Sequence, residues 1–439
     1  MTAELVSFDG TEACRGSLVA PDRYRDLRTV LAGPGPFAVR GAGLSYCQAS
    51  AADGVTTIST RSFNRFLAFD ADRRHLTVEP GVTVGELVRF AVARDAWFPV
   101  LPGHPAITVG GCVAFNVHGK SQHDVGCFSD HVESLTLLHP DHGELACSAE
   151  DNTEIFELTL GGLGLTGYIA SVTLRLRRLP GRGILRVAHP VDSLTGAVDL
   201  MRSLADSGGT GTLYSWHDLN LTGRRFGRGL VYAESFESAT PSSNRVSYRT
   251  LAANRRRGPS LASRRLVPHL VNVGYATRER LGRRQLQSVE DAAFPINGNE
   301  AYYRLFGRRG FREYQVLVPT DAWQSAAREA QRLVAAAGVP VTLGSLKMFR
   351  GDRRLLWFRG EGVCLAVDVP ATHRARWLLA QLDRMALDHG ALVNLSKDSR
   401  LDAQTVQMLY PGYDEFRRRL TEHDPKRRFD SMLRRRVGV

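Results

Sequence analysis

Pro102-Gly103-His104-Pro105-Ala106-Ile107-Thr108-Val109-Gly110-Gly111-Cys112, continuing to Asn116-Val117-His118-Gly119-Lys120, is the stretch on which the fold turns. Two others accompany it. Arg40-Gly41-Ala42-Gly43-Leu44-Ser45-Tyr46 follows the apolar run Phe37-Ala38-Val39, and Gly161-Gly162-Leu163-Gly164-Leu165-Thr166-Gly167 comes later. Glycines let a backbone approach a ligand closely and aim successive N–H groups at anionic oxygens. The stretch from Arg40 to Tyr46 alone is neither a dinucleotide fingerprint, because no third glycine opens a helix, nor a Walker loop. A tight turn explains any one of them. Three in one short region point to an extended anionic cofactor lying along the backbone.

Outward from these turns, the first part of the chain, residues 1–180, alternates short strands with turns. Strands are expected at 37–40, 55–59 and 67–78, the last broken at Asp70-Ala71-Asp72, with a hairpin at 135–138 and 144–147 and a closing strand at 168–179. Thr83-Val84-Gly85-Glu86 is a capping box that opens a helix with Leu87, Phe90 and Ala91 on one side. The second part, residues 181–390, contains a repeat: strand 314–318, helix 321–337, strand 339–343, then strand 364–369, helix 373–389, strand 391–395. Thr320 and Thr372 suit the N-caps, and Gly338 and Gly390 the C-terminal stops. Two such units predict an antiparallel sheet with helices on one face, hence an α+β protein. Residues 391–439 form a basic C-terminal segment. The Arg-rich stretch 252–285 shows few clear elements and reads as a surface loop.

Composition narrows the function classes. A chain of 439 residues with 43% hydrophobic and 23% charged residues is a folded protein of two or three domains, which excludes a disordered chain or a coiled coil. There is no apolar run of about 20 residues and no basic-then-apolar leader. Six scattered cysteines show no pairing or metal-like spacing with histidine, so the expectation is a cytoplasmic, reduced protein with no metal. A net charge of +12 favours an anionic partner or reflects a solvated Arg-rich surface. No zinc-finger, RNP-type or helix-turn-helix pattern accompanies it, so nucleic acid is not expected.

Taken together, Arg-Gly-x-Gly-x-Ser-Tyr, Pro-Gly-x-x-x-x-Thr-Val-Gly-Gly, His-Gly-Lys and Gly-Gly-x-Gly-Leu-Thr-Gly resemble the vanillyl-alcohol-oxidase-type flavoprotein superfamily. Val117-His118-Gly119-Lys120, Lys397-Asp398-Ser399-Arg400 and Met408-Leu409-Tyr410-Pro411 are similar to its branch of polyprenylphosphoryl-ribose 2-oxidases, flavin subunits of a ribose-to-arabinose epimerase. The resemblance covers nearly the whole chain and is weakest at 252–285. It implies a PCMH-type FAD domain made from both ends of the chain, with a substrate domain between them over the flavin ring.

By that resemblance FAD is held by Arg40, Gly41, Ala42, Gly43, Leu44, Ser45, Tyr46, Pro102, Gly103, Thr108, Gly110, Gly111, Asn116, His118, Gly119, Lys120, Gly164 and Tyr410. Covalently flavinylated relatives have a His where this chain has Leu44, and doubly attached ones a Cys within the match to 101–108, which has none. FAD is therefore expected to be noncovalent. The chemistry implied is oxidation of a secondary alcohol, with the carbon's hydride going to flavin N5 while a base removes the hydroxyl proton. Lys397, Tyr46 and His118 match catalytic positions. Lys397 is either that base, which requires a depressed pKa, or a charge anchor; His118 is equally readable as a hydrogen-bonded core histidine.

Substrate positions implied are Trp216, Glu313, Gln315, Lys347, Ala366, Asp368 and Lys397. Two of these depart from the family, Ala366 at its well-known cysteine and Glu313 at a glutamine, as does Ala293-Phe294-Pro295, which stands over a stretch bearing tyrosine and histidine. Glu313 either selects a cationic amine or pairs with a lysine. The expected substrate is thus a lipid-phosphate-linked ribose, with a separate NAD(P)H reductase completing an epimerisation and the 252–285 segment touching an anionic membrane. The alternatives are a soluble glycoside, nucleoside or amino sugar of an antibiotic pathway, and a degenerate flavin fold that only binds.

Overall fold

The computed structural model describes residues 2–208, 211–239, 258–264, 266–295 and 301–439. In the first part, β1 (Thr2–Val6), β2 (Ala13–Val19), β3 (Phe37–Arg40) and β4 (Thr56–Ser59) form a mixed sheet in the order β1-β2-β4-β3. A second sheet is built from β5 (Phe66–Asp70) and β6 (His75–Val78), while β7 (Ala96–Trp97) stands apart from it. It is completed by β8 (Val132–His139), β9 (Gly143–Ser148) and β10 (Tyr168–Arg175), in the order β5-β6-β10-β8-β9. β11 (Arg177–Arg178) pairs with β7. The expected hairpin is β8–β9. The capping box forms as read: Thr83 Oγ1 accepts from the Glu86 amide at 3.3 Å and Glu86 Oε2 accepts from the Thr83 amide at 2.8 Å.

The rest of the chain supplies an eight-stranded sheet. Its strands are β12 (Gly183–Val191), β13 (Thr212–Asp218), β14 (Arg228–Glu237), β15 (Arg284–Ser288), β16 (Phe311–Pro319), β17 (Leu343–Phe349), β18 (Gly362–Pro370) and β19 (Leu392–Val393). The order is β15-β12-β14-β13-β17-β18-β16-β19, antiparallel throughout. Alternate residues point to opposite faces. Leu213, Val231, Val316, Leu346 and Val367 point to the back, where the helices Leu194–Asp206, Trp323–Ala337 and His373–Asp388 cover them with Met201, Leu333 and Leu382. The C-terminal segment returns to the first sheet: Asp430 donates to the Phe37 carbonyl at 2.8 Å, and Met432 to Ala51 at 3.0 Å.

Three expectations need correction. Residues 339–342 are not a strand; the backbone of Val341 is bonded on both sides by the Asn220 amide side chain, and the strand begins at Leu343. Thr320 caps nothing: the helix starts at Trp323 with Ala322 as an unassisted N-cap, whereas Thr372 does accept from the Ala375 amide. Residues 252–257 of the supposed surface loop lie outside the described residues, but the remainder contains a helix of 16 residues, Leu266–Leu281, running on to β15. This helix packs through Tyr275 against Trp216 and Tyr232, with Leu343 in the same cluster, so helices cover both faces. Pattern reading missed it because polar Asn272 and Glu279 face inward beside Tyr275 while Leu266, Leu270, Val273 and Leu281 face outward.

Candidate active site

Between the glycine turns and the front of the large sheet lies a cavity of about 350 Å³, a volume typical of ligand sites. All three stretches reach it, through Gly41–Ser45, through Pro102, Gly103, Thr108, Gly110 and Gly111, and through Gly164 and Gly167. The first two touch: a Cβ on Gly41 would fall 2.2 Å from Thr108 Oγ1. Among the described residues the backbone N–H groups of Ala42 to Ser45 have no protein acceptor. Those of Val109 and Gly110 are already taken by the Val82 and Pro80 carbonyls at 2.8 and 2.9 Å. The buried side chains of His104 and Asn116 also line the cavity, and His104 Nε2 and Asn116 Nδ2 have no partner. Open donors beside a turn too tight for side chains suit a polyanionic, hydrogen-bond-accepting ligand. FAD fits this cradle.

The opposite wall is one face of three strands in register. Glu313, Asp368 and Leu343 form a row, then Gln315, Ala366 and Ser345, then Leu317, Cys364 and Lys347. Onto this face Lys397 descends from the chain after β19, its amide bonded to the Asn394 carbonyl at 3.0 Å. Its Nζ lies 3.3 Å from Glu313 Oε2 and 3.5 Å above the centre of the Tyr46 ring. Gln315 links the groups: Nε2 donates to Glu313, while Oε1 accepts from Asn394 Nδ2 at 2.8 Å and faces His118 Nε2 at 3.2 Å. Since that oxygen can only accept, His118 carries its proton on Nε2 and presents a lone pair at Nδ1.

Burial dominates the electrostatics. It pushes the His118 pKa down to about 3, and Lys347 nearby adds to the effect. Lys397 is lowered by burial, an effect opposed by Glu313 and Asp368. Asp368 is held well above the usual carboxylate range by burial and by Glu313, despite a 2.9 Å hydrogen bond from the Tyr302 hydroxyl. Tyr46 is also raised by burial, so its phenol stays protonated near neutrality. Glu313 thus pairs with a lysine. Lys347 lines the same cavity and has no acceptor among the described residues.

Residues 18–147 match the family described as the FAD binding domain. The chain is 28% identical over 422 residues to the decaprenylphosphoryl-β-D-ribose oxidase of Mycolicibacterium smegmatis, covering 91% of this chain and 88% of that protein. It is 32% identical over 384 residues to a Streptomyces coelicolor protein named as an uncharacterized protein in the mprA 5′ region, covering 82% of this chain and 100% of that protein. The chain belongs to the vanillyl-alcohol-oxidase/PCMH-type family of FAD-linked oxidoreductases. Mouse L-gulonolactone oxidase is similar over a shorter stretch, 30% identical across 153 residues, 35% of this chain and 34% of that protein. This FAD-dependent oxidoreductase acts on CH–OH groups.

Several residues expected in the flavoenzyme's site stand outside the cavity wall. Arg40 turns back to Ser50 Oγ at 2.9 Å and the Val6 carbonyl at 3.3 Å. Lys120 is held by Glu234 at 3.0 Å and by the Ala292 carbonyl at 2.9 Å, with Tyr214 bonded to the same carboxylate. Gly119 serves packing, since a Cβ would meet the Leu101 carbonyl at 2.9 Å. Tyr410 is buried and donates to the Val393 carbonyl at 2.7 Å. Trp216 packs at a tilt against Tyr275 of the helix Leu266–Leu281, with ring centres 4.9 Å apart. Ala366 lies on the site face between Gln315 and Ser345. Sequence reasoning did not single out His104, Asn394 or Tyr302. His104 sits inside the quoted glycine stretch and was within reach; the other two carry no local pattern.

Proposed function

We propose that this flavoenzyme oxidises a secondary hydroxyl of a phosphate-bearing sugar, at the 2-position of a polyprenylphosphoryl ribose, with FAD held noncovalently. The observation that carries this reading is the pairing of Glu313 with Lys397, which among the described residues leaves Lys347 as a cavity cation without a carboxylate partner. An anionic substrate answers that charge; of the cavity's described carboxyl groups, Glu313 is already paired with Lys397 and the charged form of Asp368 is disfavoured by burial, so neither suits a cationic amine. The relative named for decaprenylphosphoryl-β-D-ribose acts on a substrate of that class.

The Gly41–Ser45 turn, Thr108, Asn116 and His104 would hold FAD, which supplies the hydride acceptor at N5 when bound. Leu44 occupies the first turn, in keeping with noncovalent attachment. Lys397, its charge disfavoured by burial, takes the proton of the substrate hydroxyl at Nζ. Glu313 holds that nitrogen in place, Gln315 fixes Glu313 and His118 together, and Lys347 receives the phosphate. Tyr46 and the aromatic rings behind it exclude water around the ammonium.

The helix Leu266–Leu281 supports a lipid-linked substrate. Leu266, Leu270, Val273 and Leu281 form one outward stripe, 66%, 59%, 48% and 86% exposed, flanked by exposed Arg278 and Arg280. An apolar stripe edged with arginine suits an anionic bilayer surface from the cytoplasmic side. Among the described residues no helix is long and apolar enough to cross a membrane. A ketone product needs a hydride donor for return to the epimeric alcohol, so an NAD(P)H reductase is the proposed partner.

Anaerobic bleaching of the flavin absorbance tests the reading. Polyprenylphosphoryl ribose is expected to bleach it, and soluble amino sugars, glycosides and nucleosides are not. Bleaching by a soluble sugar alone would overturn the lipid assignment, and a protein that binds no FAD would overturn the enzyme mechanism.

A further inference from the structure

We propose that His139, His142 and His423 form a divalent transition-metal site that fastens the C-terminal segment to the β8–β9 hairpin. None of the three lines the cavity, so the proposal stands apart from the flavin chemistry. His139 ends β8, His142 lies in the turn to β9, and His423 ends the helix Tyr413–His423. Their ring centres are 4.6, 4.9 and 5.0 Å apart, and one ligand nitrogen from each lies within 4.8 Å of the others.

Two of the rings are already oriented from behind. His142 Nε2 lies 2.7 Å from the His423 carbonyl, and His423 Nε2 lies 2.8 Å from the Thr166 carbonyl. Carbonyls only accept, so both Nε2 atoms bear protons and both Nδ1 atoms offer lone pairs. This outer layer of bonding is what fixes the tautomer of metal-ligating imidazoles. His139 provides an independent sign: its side chain is fully buried, yet Nε2 has no hydrogen-bond partner among the described residues. The nearest carboxylate oxygen, on Asp424, is 3.9 Å away. Leaving a buried nitrogen unsatisfied costs stability, which a metal ion would recover.

Binding at His139 Nε2 moves that ring's proton to Nδ1, so the 3.2 Å approach of the Asp141 amide to Nδ1 is given up. Asp141 and Asp424 stand nearby to offset the ion's charge, themselves paired with Lys426 and with Arg434. Three imidazoles select zinc, cobalt, nickel or copper over magnesium and calcium. Bonds of about 2.0 Å require nitrogens roughly 3.4 Å apart, closer than the 4.8 Å within which all three now lie, so the exposed turn bearing His142 draws in on binding. The exposure of His142 leaves a fourth position open to water. The absence of a metal-like spacing in the sequence is consistent with this site, because His142 and His423 are 281 residues apart.

The test is calorimetric titration of Zn²⁺ into the untagged, chelator-treated, FAD-loaded full chain, with melting measured in parallel. One zinc per chain is expected, with a raised Tm, displacement by Co²⁺ and no response to Mg²⁺. His142→Ala, at an exposed turn, should melt like the wild type without metal and bind zinc at least about tenfold more weakly. His423→Gln should do the same if it folds. No stoichiometric binding, or undiminished binding by His142→Ala, would overturn the proposal.

Discussion

Glu313 and Asp368 are direct cross-strand partners, two carboxyl groups side by side on the face that receives Lys397. Adjacent carboxylates in a buried place cannot both ionise cheaply. The lysine sits against one of them: Lys397 Nζ lies 3.3 Å from Glu313, while burial and the neighbouring Glu313 push Asp368, bonded to the Tyr302 hydroxyl, toward its neutral form.

Glu313→Gln removes the charge that props up the Lys397 ammonium. A base must be unprotonated, so kcat/KM should rise with pH through the lysine's pKa. In the variant that ascending limb should move about one to three pH units lower. A pH profile of flavin reduction checks this; an unmoved limb would reduce Lys397 to a charge anchor.

Lys397→Met keeps the length and loses the amine. Flavin reduction should slow by about 10²- to 10⁴-fold, the usual contribution of a positioned base. FAD content should stay at the wild-type level, because the cradle's open donors are those of the Ala42–Ser45 backbone. Stopped-flow reduction together with the flavin-to-protein absorbance ratio separates the two effects.

Gly41→Ala places a methyl group 2.2 Å from Thr108 Oγ1, the atom that also accepts from the Gly111 amide. Both glycine stretches must shift. The purified variant should carry little FAD and lose about 1–3 kcal/mol of stability, as overpacking typically costs. Full flavin occupancy would show that the first turn is not the diphosphate cradle.

Acid should weaken the protein before its carboxylates titrate. Burial lowers His118 to about 3 and His104 and His217 to about 4, against about 6.5 in an unfolded chain. Below that value the unfolded chain takes up protons that the folded one refuses. The stability is therefore complete above about pH 6.5 and falls as pH drops toward 4. Tm measured from pH 7.5 to 4.5 should decline, and His118→Gln, which keeps a donor for Gln315, should decline less steeply.

Leu270→Asp puts a charge into the outward stripe of the helix Leu266–Leu281 at a side chain already 59% exposed. Its stability should stay within about 0.5 kcal/mol of wild type, as for most surface changes. Co-sedimentation with vesicles containing phosphatidylglycerol should fall several-fold. Equal sedimentation of both proteins would remove the membrane contact from the proposed function.

What was legible in the sequence was what neighbours along the chain decide. The capping box at Thr83 and Glu86, the Thr372 cap, the left-handed stop at Gly390 and the glycine turns each depend on a few consecutive residues. Thr320 failed as a cap because the chain between it and Trp323 takes a further turn before the helix begins. The helix Leu266–Leu281 was missed because its polar residues face inward, where Asn272 meets Asp218 and Glu279 meets Arg186.

By itself the sequence determined the cofactor class, the antiparallel character of the large sheet and the identity of Lys397, His118 and Glu313 as candidates. Only the tertiary structure decided that Glu313 spends its charge on Lys397, 84 residues away, and that Gln315 ties His118 to Asn394 across 197 and 79 residues. It also set Lys120 in a pair with Glu234, away from the cavity wall, and gathered three histidines at the C-terminal clasp. Caps and turns are fixed by local dihedral preferences and short-range hydrogen bonds. Which charge meets which is fixed by strand register and by the cost of burying an unpaired ion, and both depend on residues far apart in the chain.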